Sequence, residues 1–256
     1  MKMNNFVKLS LALVSTIVLS GCMSGKMSPQ QESALGTQQE RQMLSKVRLV
    51  RSGQLYQAVR KVGSRIASVS GRPDFQWRYH LVANNKQANA FVLPGGKVFV
   101  YSGLFKYAAN EAELAAVVGH EVAHALRSHG VKNAARKQRA GLVGALLQVG
   151  MGVAGVNKQT AKSINKAYGQ GATLGYIRPY SRQNESAADS IGLMLMAEAG
   201  YDPRAALSFW NKFGKKGRQV PEYMSTHPAP ASRIANIKSL MPHAMALYKK
   251  SKYRRR

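Results

Sequence analysis

Apolar residues along the first part of the chain recur at helical spacing. Between Glu32 and about Ser70, Leu55, Val59, Val62, Ile66 and Val69 fall at i, i+3 and i+4 intervals, which predicts two packing helices. The period then drops to two. Phe75-Gln76-Trp77-Arg78-Tyr79-His80-Leu81 alternates large apolar with polar side chains, as a half-buried strand does. Ala90 to Leu93 and Lys97 to Tyr101 flank Pro94-Gly95-Gly96 and predict a hairpin closed by a glycine turn. Helical periodicity returns from Asn110 to Ser128, with Leu114, Ala115, Val117, Val118, Val122, Ala125 and Leu126 forming the buried side. A further amphipathic helix is predicted from Asn184 to Ala199, with Ala188, Ile191, Met194 and Leu195 on its apolar side. Asp202-Pro203 then supplies a cap and a first position for the next helix. There is no internal repeat, so the pattern predicts one α+β domain, mainly helical, with a small mixed or antiparallel sheet beside the 110–128 helix.

The N-terminus follows another logic. Lys2 and Lys8 precede an apolar run from Leu9 to Leu19, interrupted only by Ser10, Ser15 and Thr16. A bilayer span needs ~20 residues, so the run suits the core of a signal peptide instead. It ends in Leu19-Ser20-Gly21-Cys22, which is similar to a bacterial lipobox, and predicts a lipid-modified Cys22 after removal of residues 1–21. Several acyl chains on one residue make a stable anchor. Met23 stands where inner-membrane-retained lipoproteins carry Asp, which favours the periplasmic face of a Gram-negative outer membrane. The expected organisation is a leader (1–21), a lipid-anchored tether (22–31), a domain (32–248) and a basic tail (249–256).

Composition narrows the partners. With 256 residues, 45% of them hydrophobic, the chain can bury a sizeable core, which excludes disordered and collagen-like classes. The single cysteine excludes a disulfide framework and a Cys-rich zinc module. The formal charge of +27 points to anionic envelope components as partners. Nucleic acid is excluded as a partner by the export signal and the lack of a binding module. Ala140 to Val156 is apolar but shorter than a span; it reads as a buried hairpin segment, a lid or a membrane dip. Lys249 to Arg256 reads as a solvated basic tail, and His80 and His129 read as surface histidines.

The chemistry concentrates at His120-Glu121-Val122-Ala123-His124. Histidines at i and i+4 share one helical face, so both imidazoles reach one Zn²⁺, and Glu121 sits within reach of a water beside the ion. This composition produces such a motif by chance in roughly four chains per thousand, so it carries weight. A catalytic zinc needs a third protein ligand. The metzincin continuation requires Gly and His three and six residues past His124, where the chain has Arg127 and Gly130, so that branch is excluded. The acids after Glu121 are Glu185, Asp189, Glu198, Asp202 and Glu222. Glu185 and Asp189, at i and i+4 on the 184–199 helix, can supply a ligand and a carboxylate that orients a histidine ligand, or can form a solvated face.

Asn110-Glu111-Ala112-Glu113-Leu114-Ala115 leading into Gly119-His120-Glu121, with the later Asn184-Glu185-Ser186-Ala187-Ala188-Asp189, resembles the HtpX-type zinc metalloprotease family. Asn89-Ala90-Phe91, Pro94-Gly95-Gly96 and Ser102-Gly103-Leu104 resemble that family's strand segment, and Ser225-Thr226-His227-Pro228 through Arg233 resembles its late motif. The resemblance spans roughly 32–240 and is strongest to the periplasmic lipoprotein branch; the transmembrane helices and C-terminal tetratricopeptide repeats of other branches have no counterpart in the sequence. It implies a zincin-like fold of gluzincin type, with one Zn²⁺ per chain on His120, His124 and Glu185. Glu121 is then the general base and Asp189 the supporting carboxylate, with His227 and Arg233 beside the site. For His227 three roles stay open: donor to an oxyanion, occupant of the metal's open position in a resting state, or helix cap. The implied activity is hydrolysis of peptide bonds in unfolded or misfolded envelope proteins, with extended substrates adding to a sheet edge near Ala90 to Leu93. The alternative is a metal-binding, chaperone-like envelope lipoprotein without robust peptidase activity.

Overall fold

A computed structural model describes residues 27–132, 148, 151, 156–160, 162–163, 182–215, 227 and 231–254. The leader, Cys22 and the first part of the expected tether lie outside the described residues. So does the 140–156 stretch apart from Gln148, Met151 and Val156. In chain order the elements are α1 (Pro29–Leu44), β1 (Leu49–Val50), α2 (Gln54–Ser68), β2 (Arg78–Val82), β3 (Ala90–Leu93) and β4 (Lys97–Tyr101). A 3-10 turn (Ser102–Lys106), α3 (Glu111–Leu126), α4 (Arg182–Glu198), α5 (Arg204–Lys215) and α6 (Ala231–Lys250) follow.

Helix α1 starts inside the segment expected to be a tether. Ser28 accepts a hydrogen bond from the Gln31 N–H at 3.2 Å while the Gln31 side chain accepts from the Ser28 N–H at 2.9 Å, and Pro29 takes the first turn. This capping box satisfies two otherwise orphaned donors and starts the helix there. The two expected helices between residues 32 and 70 are present but separated by β1. They pack on different partners, α1 on β3 and β4, α2 on β2 and α3.

The sheet is mixed, in the order β1-β2-β4-β3, with β2 and β4 parallel and both outer pairings antiparallel. The expected hairpin is β3–β4, in register from Leu93↔Lys97 to Ala90↔Val100. Its turn needs Gly95 and Gly96, which adopt φ of 68° and 88°. The expected strand at 75–81 begins only at Arg78, because Trp77 donates its indole N–H to the Arg72 carbonyl at 3.1 Å and closes a turn before it. All five residues of β4 are buried. Val98 and Val100 join the main core with α2 and α3; Phe99 and Tyr101 face the other way and form a smaller cluster with Met43 and Phe91. Period-two side chains thus serve two layers at once.

Helix α3 is the centre of the molecule. Asn110 caps it, accepting from the Glu113 N–H at 2.9 Å. The sequence predicts a one-sided helix, but every residue from Glu113 to Ala125 is buried, because α2, α4, α5, β3 and β4 surround it. Helix α4 crosses α3 where Gly119 meets Gly192: a Cβ on Gly119 would lie 2.8 Å from the Gly192 carbonyl oxygen, and one on Gly192 would lie 2.7 Å from the His120 nitrogen. Helix α6 packs on α4 and α5. The expected Asp202 cap is present, its carboxylate accepting from the Arg204 N–H at 2.9 Å. The basic side chains Lys249, Lys250, Lys252 and Arg254 are exposed, while the residues between them tie the end of the chain down. Lys249 and Lys250 close α6, the Ser251 hydroxyl donates to the Glu198 carbonyl at 2.6 Å, and Tyr253 meets the Ser68 hydroxyl at 3.0 Å. Arg255 and Arg256 lie outside the described residues. Among the described residues no helix is long and apolar enough to cross a membrane.

Because only hydrogen fits at the α3–α4 crossing, Gly192→Ala forces the two backbones apart. The expected cost is about 1–3 kcal/mol in chemical denaturation. It should be accompanied by weaker metal uptake, since the crossing sets the distance between the groups described next.

Candidate metal centre

The last two turns of α3 carry His120 and His124 on one face, and the first two turns of α4 bring Glu185 and Asp189 opposite them. His227 enters from the segment ahead of α6, whose first turn carries Arg233. All six side chains, and Glu121, are buried. The pair read as either ligand and support or solvated face is therefore an interior pair.

The donor atoms converge. His120 Nε2 lies 3.0 Å from His124 Nε2 and 3.2 Å from His227 Nδ1, and Glu185 oxygens lie 3.4 Å from both α3 histidines and 3.1 Å from His227 Nδ1. One ligand atom from each of His120, His124, Glu185 and His227 falls within 4.8 Å of the others. Tetrahedral ligands held at ~2.0–2.1 Å from an ion stand ~3.3–3.4 Å apart, so these spacings fit a single small divalent ion. Tautomers agree with that fit. His120 Nδ1 faces Asp189 Oδ1 at 3.0 Å, so the proton sits on Nδ1 and the Nε2 lone pair points into the cluster. Asp189 is held in turn by Arg233, whose Nε donates to Oδ2 at 2.7 Å and Nη2 to Oδ1 at 2.5 Å. The Arg233 guanidinium lies 3.8 Å over the Trp210 ring of α5, which fixes its plane. Glu121 stands beside the cluster, its Oε1 3.6 Å from His227 Nε2.

The electrostatics suit a cation. Burial pushes Glu185 towards its neutral acid, but hydrogen bonds with His120, His124 and His227 hold its carboxyl far below the usual range. Burial likewise opposes ionisation of Asp189, and the Arg233 and His120 contacts overcome it. Burial and Arg233 push His120 down, yet Asp189 and Glu185 carry it up to about 9. Burial holds His124 well below its ordinary value. The cluster thus keeps two ionised carboxylates beside imidazoles that must compete with protons for a shared cation.

Two histidines read from the sequence as exposed are not. His129 is buried, and its Nδ1 lies 2.8 Å from His124 Nδ1. Ser128, at φ 49°, turns the chain back over the end of α3 and delivers it there. Burial, then Lys132 and Arg127, lower His129 to about 4, so it is neutral and can accept the His124 Nδ1 proton. A third histidine within ten residues, in a chain with six, is the signal that points to it. His80 stacks on Phe99 at 4.6 Å and meets the buried Glu40 at 2.7 Å, so it belongs to the α1–sheet interface. Trp210 carried no sequence signal: its role needs Arg233 from another helix.

An HExxH helix laid against a small mixed sheet, with carboxylates brought in by a later helix, defines an α+β protein of zincin-like fold. The chain belongs to peptidase family M48, whose profile matches residues 54–241. It is 35% identical over 190 residues to the mitochondrial metalloendopeptidase OMA1 of Schizosaccharomyces pombe, covering 73% of this chain and 53% of that one. It is 33% identical over 239 residues to the beta-barrel assembly-enhancing protease of Yersinia pestis (86% and 46%) and 31% identical over 215 residues to that of Escherichia coli K12 (82% and 43%). The chain spans about half the length of these relatives.

Asp189→Asn leaves the four donor groups in place but removes the negative charge and one of the two acceptor oxygens that Arg233 and His120 share, so metal affinity should fall about 10–100-fold at pH 8. The same carboxylate raises His120, so wild-type affinity should climb as pH rises towards 9 and protons leave that ring, and the variant's profile should be flatter. Because the Asp189 carboxyl is lowered, its contribution to folding is present above about pH 4 and lost as pH falls further; the variant should lack that acid-dependent part of the melting curve. Competition with a chromogenic chelator across pH, together with thermal melts, checks all three.

Proposed function

We propose that the chain is a zinc-dependent endopeptidase that hydrolyses peptide bonds in misfolded envelope proteins, held at the periplasmic face of the outer membrane through a lipidated Cys22. The observation that carries this reading is the convergence of four buried donor atoms, from His120, His124, Glu185 and His227, with Glu121 on their flank. A donor set of three histidine nitrogens and a carboxylate favours zinc over harder ions, which prefer all-oxygen sets. The names of the relatives, metalloendopeptidase and beta-barrel assembly-enhancing protease, support peptide hydrolysis and an envelope setting. The lipobox-like Leu19-Ser20-Gly21-Cys22 supports the anchor.

Bound zinc supplies a water of pKa near ~7 and an electrophile for the scissile carbonyl. The remaining work falls to side chains. His120, His124 and Glu185 hold the ion, and Glu121 takes the proton from the attacking water and passes it to the leaving amine. Asp189 keeps His120 in the tautomer that frees Nε2, and Arg233 keeps Asp189 ionised and in place. Strand β3 is an edge of the sheet next to α3, so an extended substrate pairs along Ala90 to Leu93 and lies across the site.

His227 closes the donor set. Catalytic zinc keeps one open position and structural zinc keeps none, so this closure favours a second reading, a metal-binding envelope lipoprotein without robust cleavage. Within the peptidase reading, His227 would be a resting-state fourth donor that gives way to substrate, or a donor to the oxyanion.

The deciding comparison is zinc content and casein cleavage for the wild type and Glu121→Gln. The variant should hold one zinc per chain and cleave about 10²–10⁴-fold more slowly. Equal cleavage by both removes Glu121 from the mechanism; zinc without cleavage in either supports the second reading. His227→Ala should keep zinc on three ligands and cleave a short unstructured peptide faster than wild type if His227 is a resting-state plug. If it acts on the oxyanion, cleavage should be slower by about 10²-fold.

A further inference from the structure

Away from the metal centre, a cleft of about 550 Å³ opens between α2 and the β1–β2 side of the sheet. Arg51, Arg60 and Arg78 line it together with Tyr56, Trp77 and Tyr79, and none of the residues lining it is acidic or belongs to the metal centre. Arg51 and Arg60 are exposed and make no ion pair among the described residues; the Arg60 guanidinium rests over the Tyr56 ring at 5.7 Å. Arg78 gives one N–H to the buried Glu40 at 2.7 Å, and Glu40 is shared with His80 at the same distance. Its charge is therefore the only one of the three with a built-in counterion.

Tyr79 lends the cleft the edge of its ring while its hydroxyl is turned into the protein. The Tyr79 hydroxyl is buried and has no hydrogen-bond partner. With Arg78 paired to Glu40, Arg51 and Arg60 are two guanidiniums in one concavity without a protein counterion among the described residues, which favours an anion there. A planar fork pairs with carboxylate or phosphate alike, but two forks converging on one concavity suit an anion with enough terminal oxygens for both, which a phosphate monoester has and a halide or a single carboxylate lacks. The aromatic and aliphatic walls, Tyr56, Trp77 and Leu49 among them, offer faces for the ring or glycerol carbons that carry such a group.

We propose that this cleft binds the phosphate monoester of an anionic sugar or lipid, with Arg51 and Arg60 as the recognising cations and the aromatic wall receiving the carbon skeleton next to the phosphate. The site is independent of the peptidase reading. It would hold the enzyme domain against a phosphate-bearing envelope component without using the catalytic machinery.

The test is calorimetric titration of the full-length, zinc-loaded chain in a neutral maltoside detergent. The probes are glucose 6-phosphate against glucose, and dihexanoyl phosphatidic acid against dihexanoyl phosphatidylcholine. The phosphorylated member of at least one pair should bind while its neutral partner does not. Binding of both assigns recognition to the phosphate itself; binding of one assigns the source as soluble sugar phosphate or lipid headgroup. Arg51→Ala/Arg60→Ala, two exposed positions, should weaken binding about a hundredfold, roughly tenfold for each charge-assisted contact. Lys249→Ala/Lys250→Ala removes the same charge elsewhere and should change it little. Casein cleavage by the arginine variant should stay at the wild-type level, and its circular dichroism should be unchanged. No binding by either phosphorylated probe, binding unaffected in the arginine variant, or equal loss in the lysine control overturns the proposal, the last by assigning the effect to the chain's general positive field.

Discussion

Everything at the metal centre depends on the closeness with which α3 and α4 cross. Gly119 and Gly192 put two backbones in direct contact, each where the other's Cβ would stand. That approach lets two short acidic side chains, Glu185 and Asp189, reach both ring nitrogens of His120 from one turn apart: Glu185 on the Nε2 side, Asp189 on the Nδ1 side. With longer separation a carboxylate would meet one edge of the imidazole or neither. The glycines carry no chemistry, but a side chain at either one would push the two helices apart.

A second constraint is electrostatic. The chain has 11 acidic residues against 38 basic ones, and six of the acids (Glu32, Glu40, Glu113, Glu121, Glu185 and Asp189) are buried. Each holds elements together or serves the metal centre. Glu32 accepts from Ser128 just past α3, Glu40 ties α1 to β2, and Glu113 receives Lys212 from α5. The scarce negative charge is spent inside, so the surface is more cationic than the net charge alone conveys. The arginine-lined cleft belongs to that pattern.

The spacing of apolar and polar residues was enough to anticipate the β3–β4 hairpin, the α3 and α4 helices and the mixed, mainly helical class. His120, Glu121 and His124 were legible because one helical turn sets their relation, and Glu185 and Asp189 because so few acids remained to choose from. Readings failed where a contact joined distant segments. His129 looked exposed because the left-handed Ser128 that turns it inward leaves no mark on periodicity. His80 looked outward because α1 and its Glu40, forty residues earlier, cover that face of the sheet. Strand β1 is two residues long, too short for any alternation to register.

By itself, then, the sequence determined local matters: which segments are helices or strands, where caps and turns fall, and that two histidines share one helical face with a glutamate adjacent to the first. Backbone geometry repeats with a fixed period, so nearest-neighbour chemistry suffices for these. The tertiary structure decided whether Glu185 and Asp189 faced solvent or the histidines, that His227, Arg233 and Trp210 joined them, and that His129 buttressed His124. Those choices rest on how closely helices far apart in sequence can approach, which depends on packing across the whole core and is written in no single stretch of the chain.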